Sequence, residues 1–287
     1  MYWLIFTIFA IISRATYSIS SKLLSQDIKV AAQSHALLLT GSSAILVLIF
    51  GPFFGGIDFL SIFKYPMIIG AVMLSCSFGN IIFFNGQKLL DASMTQIAFS
   101  SVLIWGAVLS LFFLNSTFSI YQIFGMLLLL AAIIFTQYER RKFSFNKGVI
   151  IIMTAAIVFA IFQVTSAIAS RYVNTVTYLF YANLATATLV LVLNPKTSLK
   201  DFKIIKRNIT NTISKTLFAS LTSMIYMIFS FAAYRLAPDR GVVVVLLTSQ
   251  VIISVIFGVI FLKERNNIPK KIIAGTIAFI AAILINQ

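Results

Sequence analysis

The sequence predicts an all-α membrane protein with ten transmembrane helices, arranged as two inverted five-helix repeats. Three observations carry that prediction. Of 287 residues 60% are hydrophobic and 10% charged; ten apolar runs are separated by polar punctuation; and the second half can be laid on the first in order. Soluble domains carry about 25% charged residues, and uncharged runs of about 18 or more read as membrane helices. The composition therefore excludes a soluble enzyme, a disordered chain and a DNA-binding module. The net charge of +15, from 22 Lys and Arg against 7 Asp and Glu, would suggest nucleic acid in a soluble protein. Here the cations cluster between apolar runs, as membrane topology requires, so no nucleic-acid partner is expected.

The spans run over roughly 2–22, 31–51, 66–87, 92–114, 119–137, 148–170, 174–194, 213–235, 240–262 and 268–285. Each is long enough for about 30 Å of hydrocarbon at about 1.5 Å per residue. The first begins at once with Met1-Tyr2-Trp3-Leu4, lacking the basic region and cleavage pattern of a secretory signal, and is expected to be retained. Gly51-Pro52, Asn194-Pro195, Ala237-Pro238 and Asn267-Ile268-Pro269 supply stops. The longer connection from Lys196 to Lys215 sets Lys200, Lys203, Lys206 and Arg207 beside Leu199, Phe202, Ile205 and Ile209. It reads either as a basic amphipathic segment on an anionic leaflet or as a solvated loop. The single cysteine, Cys76, lies in an apolar run, where packing is the expected role.

The repeat places residues 1–143 over 144–287. Span one matches span six at an offset of 149, setting Arg14 on Gln163 and Lys22 on Arg171. Span two matches span seven at 143, with Ser34-His35 over Thr177-Tyr178. Spans three and four match eight and nine at 147, with Gln87-Lys88-Leu89 over Tyr234-Arg235-Leu236. Five crossings per copy leave the second copy upside down relative to the first, the arrangement by which many secondary carriers expose a midplane site to each side in turn.

Residues 231–238, Phe231-Ala232-Ala233-Tyr234-Arg235-Leu236-Ala237-Pro238, lead into a span ending in Phe261-Leu262-Lys263-Glu264-Arg265. In this, and in its five-plus-five pattern, the chain resembles the EamA-type branch of the drug/metabolite transporter superfamily over essentially its whole length. The first copy departs from the pattern, with Asn115-Ser116 where Lys263-Glu264 stand in the second and Ser34-His35 near the place of an arginine common in such repeats. The resemblance implies two inverted repeats, a fifth helix of each repeat outside the cavity, termini in the cytoplasm and residence in a membrane, here expected to be a bacterial inner (plasma) membrane.

All seven acids, Asp27, Asp58, Asp91, Glu139, Asp201, Asp239 and Glu264, fall at span ends or in loops. Without a carboxylate at membrane depth the usual cation/proton exchange site is missing. Asp91 and Asp239 are expected to be helix N-caps. Arg14 is the full charge set well inside a span, roughly 12 Å or more from either interface, beyond snorkelling reach. It must face the protein or a wet cavity, either as an anchor for a substrate carboxylate or phosphate or as a structural hydrogen-bond hub. Gln163 puts a second polar group at the related depth. Tyr17, Asn80, Asn85, Gln96, Ser100, Tyr178, Tyr181, Tyr226, Ser230, Thr248 and Gln250 complete the candidate substrate-binding set, each also readable as an interhelical hydrogen bond. His35, near the start of span two, reads as a proton carrier or an interfacial polar group.

Spans five and ten are almost wholly apolar, and Ala274, Ala278 and Ala282 mark the tenth as a packing or dimer-facing helix. The expected partners are a small-molecule substrate, the lipid bilayer and a second copy of the chain. No cofactor or metal is expected: one His cannot build a multi-His site, and no Walker loop or hydrolytic set is present. The chain is therefore expected not to be an enzyme but a secondary transporter, a facilitator or exchanger moving a small anionic or zwitterionic metabolite such as an amino acid by alternating access. The alternative is a non-transporting ten-helix receptor or scaffold. Orientation divides the sequence from the resemblance. Loops after odd spans carry seventeen Lys and Arg against four after even spans, which puts both termini outside, opposite to the habit of the superfamily.

Overall fold

Among the described residues, a helix lies in each of the ten apolar runs, in the order that they predict. The computed structural model describes residues 2–27, 30–90, 95, 98–99, 101–137, 147–207, 209–250, 253–254, 256–257 and 268–285. The first repeat comprises α1 (Tyr2–Asp27), α2 (Ala32–Phe50), α3 (Pro66–Gln87), α4 (Val102–Phe113) and α5 (Ile120–Gln137). The second comprises α6 (Lys147–Ala169), α7 (Thr175–Leu193), α8 (Ile209–Leu236), α9 (Arg240–Leu247) and α10 (Ile268–Ile285). Six of these contain stretches long and apolar enough to cross a membrane by themselves, and α4 and α5 add shorter apolar runs. No strand occurs among the described residues. The boundary between repeats at 143/144, the turn Lys263-Glu264-Arg265, Asp91 and the side chains of Ala274, Ala278 and Ala282 lie outside the described residues.

Local chemistry sets the ends. Pro66 opens α3 at a position that needs no backbone donor. Asn174 caps α7 by accepting from the Thr177 N–H at 2.7 Å. Asp239 caps α9, as expected, accepting from the Gly241 N–H at 2.7 Å, and the same oxygen accepts from the Ser116 hydroxyl at 2.7 Å, tying the end of α4 to the start of α9. Gly241 permits that approach: a Cβ there would stand 2.9 Å from the Ser110 Cβ and 2.7 Å from that of Ser116.

The helix pairing has the symmetry of the repeat. The most extensive contacts are α1 with α8 and its repeat equivalent α6 with α3, followed by the self-equivalent pairs α5 with α10 and α2 with α7. The pairs α3 with α7 and α8 with α2 are equivalent in the same way. Each half thus lends its first helix to the third helix of the other. The pair α5 and α10 stands apart from the central cluster, with their own core of Leu129, Ala132, Ala281 and Ile285 shared with Leu103 and Val245. Outward faces are apolar, as Ile45, Leu48, Phe112, Phe113, Phe124 and Leu127 illustrate; this is a surface for lipid, since water would make it aggregate.

Two helices differ from the sequence expectation at their ends, and the longer connections are ordered. α1 continues to Asp27, past Lys22, because a polar helix end beyond the hydrocarbon has no reason to unwind. α8 likewise begins at Ile209, ahead of the apolar run. The connection 51–65 is ordered into a 3-10 turn, Gly51–Phe54, and a short helix, Ser61–Lys64. The Lys196 to Lys215 connection is mostly helical, with a surface helix over Pro195–Arg207.

Spans four and nine are each interrupted at the same place in the repeat. Ser101 and Thr248, 147 residues apart, both leave the α-helical pattern. Their backbone N–H groups and hydroxyls both donate to carbonyls three residues earlier, Ser101 to Ala98 at 3.4 and 2.8 Å and Thr248 to Val245 at 3.1 and 2.6 Å, a tighter turn in place of the α-helical ladder.

Candidate functional site: a caged arginine between the repeats

Arg14 lies half-buried on α1, with its guanidinium carbon 5.1 Å from the centroid of the Tyr17 ring, 5.4 Å from Phe159 on α6 and 5.0 Å from Tyr226 on α8. Three π faces supply the electrostatic compensation that a charge at this depth requires. Among the described residues no carboxylate pairs with it, the one ion pair being Lys64 with Asp58 at 3.5 Å.

Beside the guanidinium is a narrow cavity of about 20 Å³, lined by Arg14, Tyr17, Ser18, Ser21, Phe83, Phe99, Gln250 and Ser254. That is room for a water molecule, far short of a metabolite. The lining joins α1 and α3 of the first repeat to the residues that follow α9 in the second. Gln250 is buried, and its Oε1 has no hydrogen-bond partner among the described residues; the same holds for the Oε1 of Gln163. The Gln163 amide meets the Tyr226 hydroxyl and lies against α4, where a Cβ on Gly106 would stand 3.8 Å from its oxygen. Tyr226 therefore touches both Arg14 and its repeat equivalent.

Of the candidate residues, the structure gathers Arg14, Tyr17, Gln163, Tyr226 and Gln250 around one centre. Others have partners elsewhere. Asn80 donates to the Cys76 carbonyl at 2.9 Å, and Cys76 is buried against Thr186 on α7, which is the packing role expected of it. The Tyr178 hydroxyl bonds Ser166 at 2.9 Å and its ring stacks on Phe231 at 4.4 Å. Tyr181 donates to the Phe59 carbonyl at 3.0 Å, pinning the 51–65 connection. Thr248 and Ser230 bond their own helical backbone, and Asn85 is half-buried on α3. Gln96 and Ser100 lie outside the described residues.

His35 is fully buried and lies within electrostatic reach of Lys88 and Asp201. Those two belong to a junction at the end of the bundle. Asp201 accepts from the Ala31 N–H at 2.8 Å and the Ser34 hydroxyl at 2.6 Å, and Lys88 donates to the Val30 carbonyl. Desolvation there lowers the Lys88 pKa below the ordinary lysine value, with Asp201 pulling it back up.

Sequence reasoning missed the aromatic side of the cavity, Phe83 and Phe99, and the Phe159 ring on Arg14, because a chain with 28 Phe gives no reason to choose among them. Ser18 and Ser21 carried a usable signal: with Arg14 and Tyr17 they recur at helical spacing on one face. Ser254 follows Gln250 by four residues in the same way.

A helical bundle with a lipid-facing exterior, a two-fold pairing of its halves and a polar centre between them defines an integral, multi-pass membrane protein built as an inverted repeat. The chain belongs to the EamA-like transporter family, whose model matches residues 1–138 and 146–287, and that family is one of membrane transporters. A solved crystal structure, described only as that of a protein, superposes with a TM-score of 0.70 over 98% of this chain and 94% of its own at 15% identity. That likeness shows the fold alone. No curated protein matches the chain significantly.

Proposed function

We propose that the protein is a secondary transporter, a facilitator or exchanger, that moves a small anionic or zwitterionic metabolite such as an amino acid across a bacterial inner membrane by alternating access. The observation that carries this reading is Arg14, a permanent cation compensated by rings and faced by no carboxylate among the described residues. A substrate carboxylate would supply the missing negative charge, and the free oxygens of Gln163 and Gln250 would accept from an ammonium or hydroxyl group. The cavity is too small for such a molecule as it stands, so loading requires the helices to part. The paired interruptions at Ser101 and Thr248 are suitable places for that movement, since each lies two residues from a residue of the cavity lining, Phe99 and Gln250.

The test is uptake and counterflow of labelled amino acids and other carboxylates in proteoliposomes. Saturable uptake of a carboxylate compound that Arg14→Ala abolishes is the expected result. Transport of organic cations unaffected by Arg14→Ala would overturn the reading.

A further inference from the structure

The surface helix Pro195–Arg207 has three distinct faces. Ser198, Asp201 and Ile205, spaced three and four apart, are buried against the protein. Leu199 and Phe202 are 67% and 61% exposed, although nothing about a helix in water favours an outward leucine and phenylalanine on one flank. They follow closely in the chain on the end of α7, where Leu191, Val192 and Leu193 are exposed as well. The remaining side carries Lys196, Lys200 and Lys203, and Lys206 lies one turn beyond Phe202 on the apolar flank; all four lysines are exposed. An exposed apolar pair on a helix that directly follows the exposed apolar end of a span, accompanied by four exposed ammonium groups, fits one occupant by charge and polarity together: the headgroup layer of an anionic leaflet. Loops after odd spans, to which this helix belongs, also hold most of the chain's cations; with the termini outside, the orientation that this bias favours, the helix faces the cytoplasmic leaflet.

The buried face links this helix to the first repeat. Asp201 accepts from the Ala31 N–H and the Ser34 hydroxyl at the start of α2, where the helix has no cap of its own from Ala31. We propose that the surface helix Pro195–Arg207 is a docking site for anionic phospholipid headgroups, and that Asp201 transmits its docking to the start of α2. Leu199 and Phe202 enter the leaflet, the four lysines meet the phosphates, and the carboxylate on the opposite face holds α2 in place.

Hydrogen exchange of the intact protein in nanodiscs tests this without a substrate. Discs of phosphatidylcholine alone are compared with discs containing about 30% phosphatidylglycerol. In the anionic discs, amides of residues 195–206 and of 31–37 should exchange slower by roughly fivefold or more, and high salt should reduce the difference. The quadruple variant Lys196→Gln, Lys200→Gln, Lys203→Gln, Lys206→Gln alters exposed side chains alone and should lose the difference at both segments. Asp201→Asn should keep it in the surface helix and lose it in α2. Equal exchange of the wild type in both lipids, or a quadruple variant that still responds, would overturn the docking. Protection that rises with protein concentration and not with anionic lipid would assign the face to a second copy and overturn it too. An Asp201→Asn protein whose α2 still follows the lipid would overturn the transmission.

Discussion

Arg14 and Tyr226 come from opposite halves of the chain and meet with the guanidinium carbon 5.0 Å from the ring centroid. The contact crosses the junction of α1 with α8, one of the two most extensive in the fold, and brings the charge of one repeat to the ring that also meets Gln163. A charge so placed is a junction between repeats as well as a polar group in a cavity.

Arg14→Ala and Arg14→Gln should abolish transport or reduce it by on the order of a hundredfold, the effect of removing a charge-assisted pair, while monodisperse protein is still recovered from the membrane. Arg14→Lys should keep part of the activity, because charge survives and the planar fork does not. Initial uptake rates alongside size-exclusion profiles decide between an anchor and a structural hub: normal transport by Arg14→Ala refutes the anchor, and failure to fold favours the hub.

Coupling should not depend on a carboxylate within the membrane. Asp58, Asp201 and Asp239 lie in connections or the surface helix, and the remaining acids lie at sequence positions outside the apolar interiors. Each of the seven amide variants, made singly, should retain measurable transport. One variant that binds substrate yet loses all dependence on a proton or sodium gradient would contradict this.

Both termini should face outside. Seventeen Lys and Arg in the loops after odd spans, against four after even spans, set the cytoplasmic side. A reporter fused to Gln287 that is active only in the cytoplasm should be silent, and one active only outside should signal; the reverse pattern would restore the orientation usual in the superfamily.

On the proposed alternating-access mechanism, removing both back-bonding hydroxyls, with Ser101→Ala and Thr248→Ala together, should slow transport by on the order of tenfold while substrate affinity changes little, because the tight turns they hold would be joints of the moving helices. Equilibrium binding measured beside turnover distinguishes this from a site defect, in which both would fall.

Gly125→Val should lower the melting temperature in detergent, since a Cβ at that position would stand 2.9 Å from the Ala281 carbonyl and 2.8 Å from Ile285. Overpacking of this kind costs about 1–3 kcal/mol. As α5 and α10 lie outside the cavity lining, the folded fraction should transport at the normal rate per molecule.

The spans were legible because hydrocarbon imposes length and polarity on every crossing: α3 occupies Pro66–Gln87 and α10 Ile268–Ile285, as the apolar runs predict. Arg14 was legible because an isolated charge in such a run must be accommodated. Asp239 was legible because an acid just ahead of an apolar helix has one common role. The aromatic cage was not. Phe159 and Tyr226 reach Arg14 through packing between α1, α6 and α8, and no spacing within one helix encodes a contact among three. Asn80 and Tyr181 show the converse: a polar side chain in an apolar span announces a hydrogen bond but not its recipient, here the Cys76 backbone and the Phe59 carbonyl.

A cage of rings neutralises nothing. Pairing with a carboxylate would give a net charge of zero, whereas the empty pocket around Arg14 carries +1 and the pocket holding a monoanion carries none. Whereas a net-neutral zwitterion would leave both forms charged, in a carrier of monoanions that rocks about this centre the membrane voltage would act on the unloaded form and spare the loaded one, at up to about 2.3 kcal/mol per 100 mV for a charge moved through the full field. The return stroke, more than the delivery, would then be the step that an energised membrane controls.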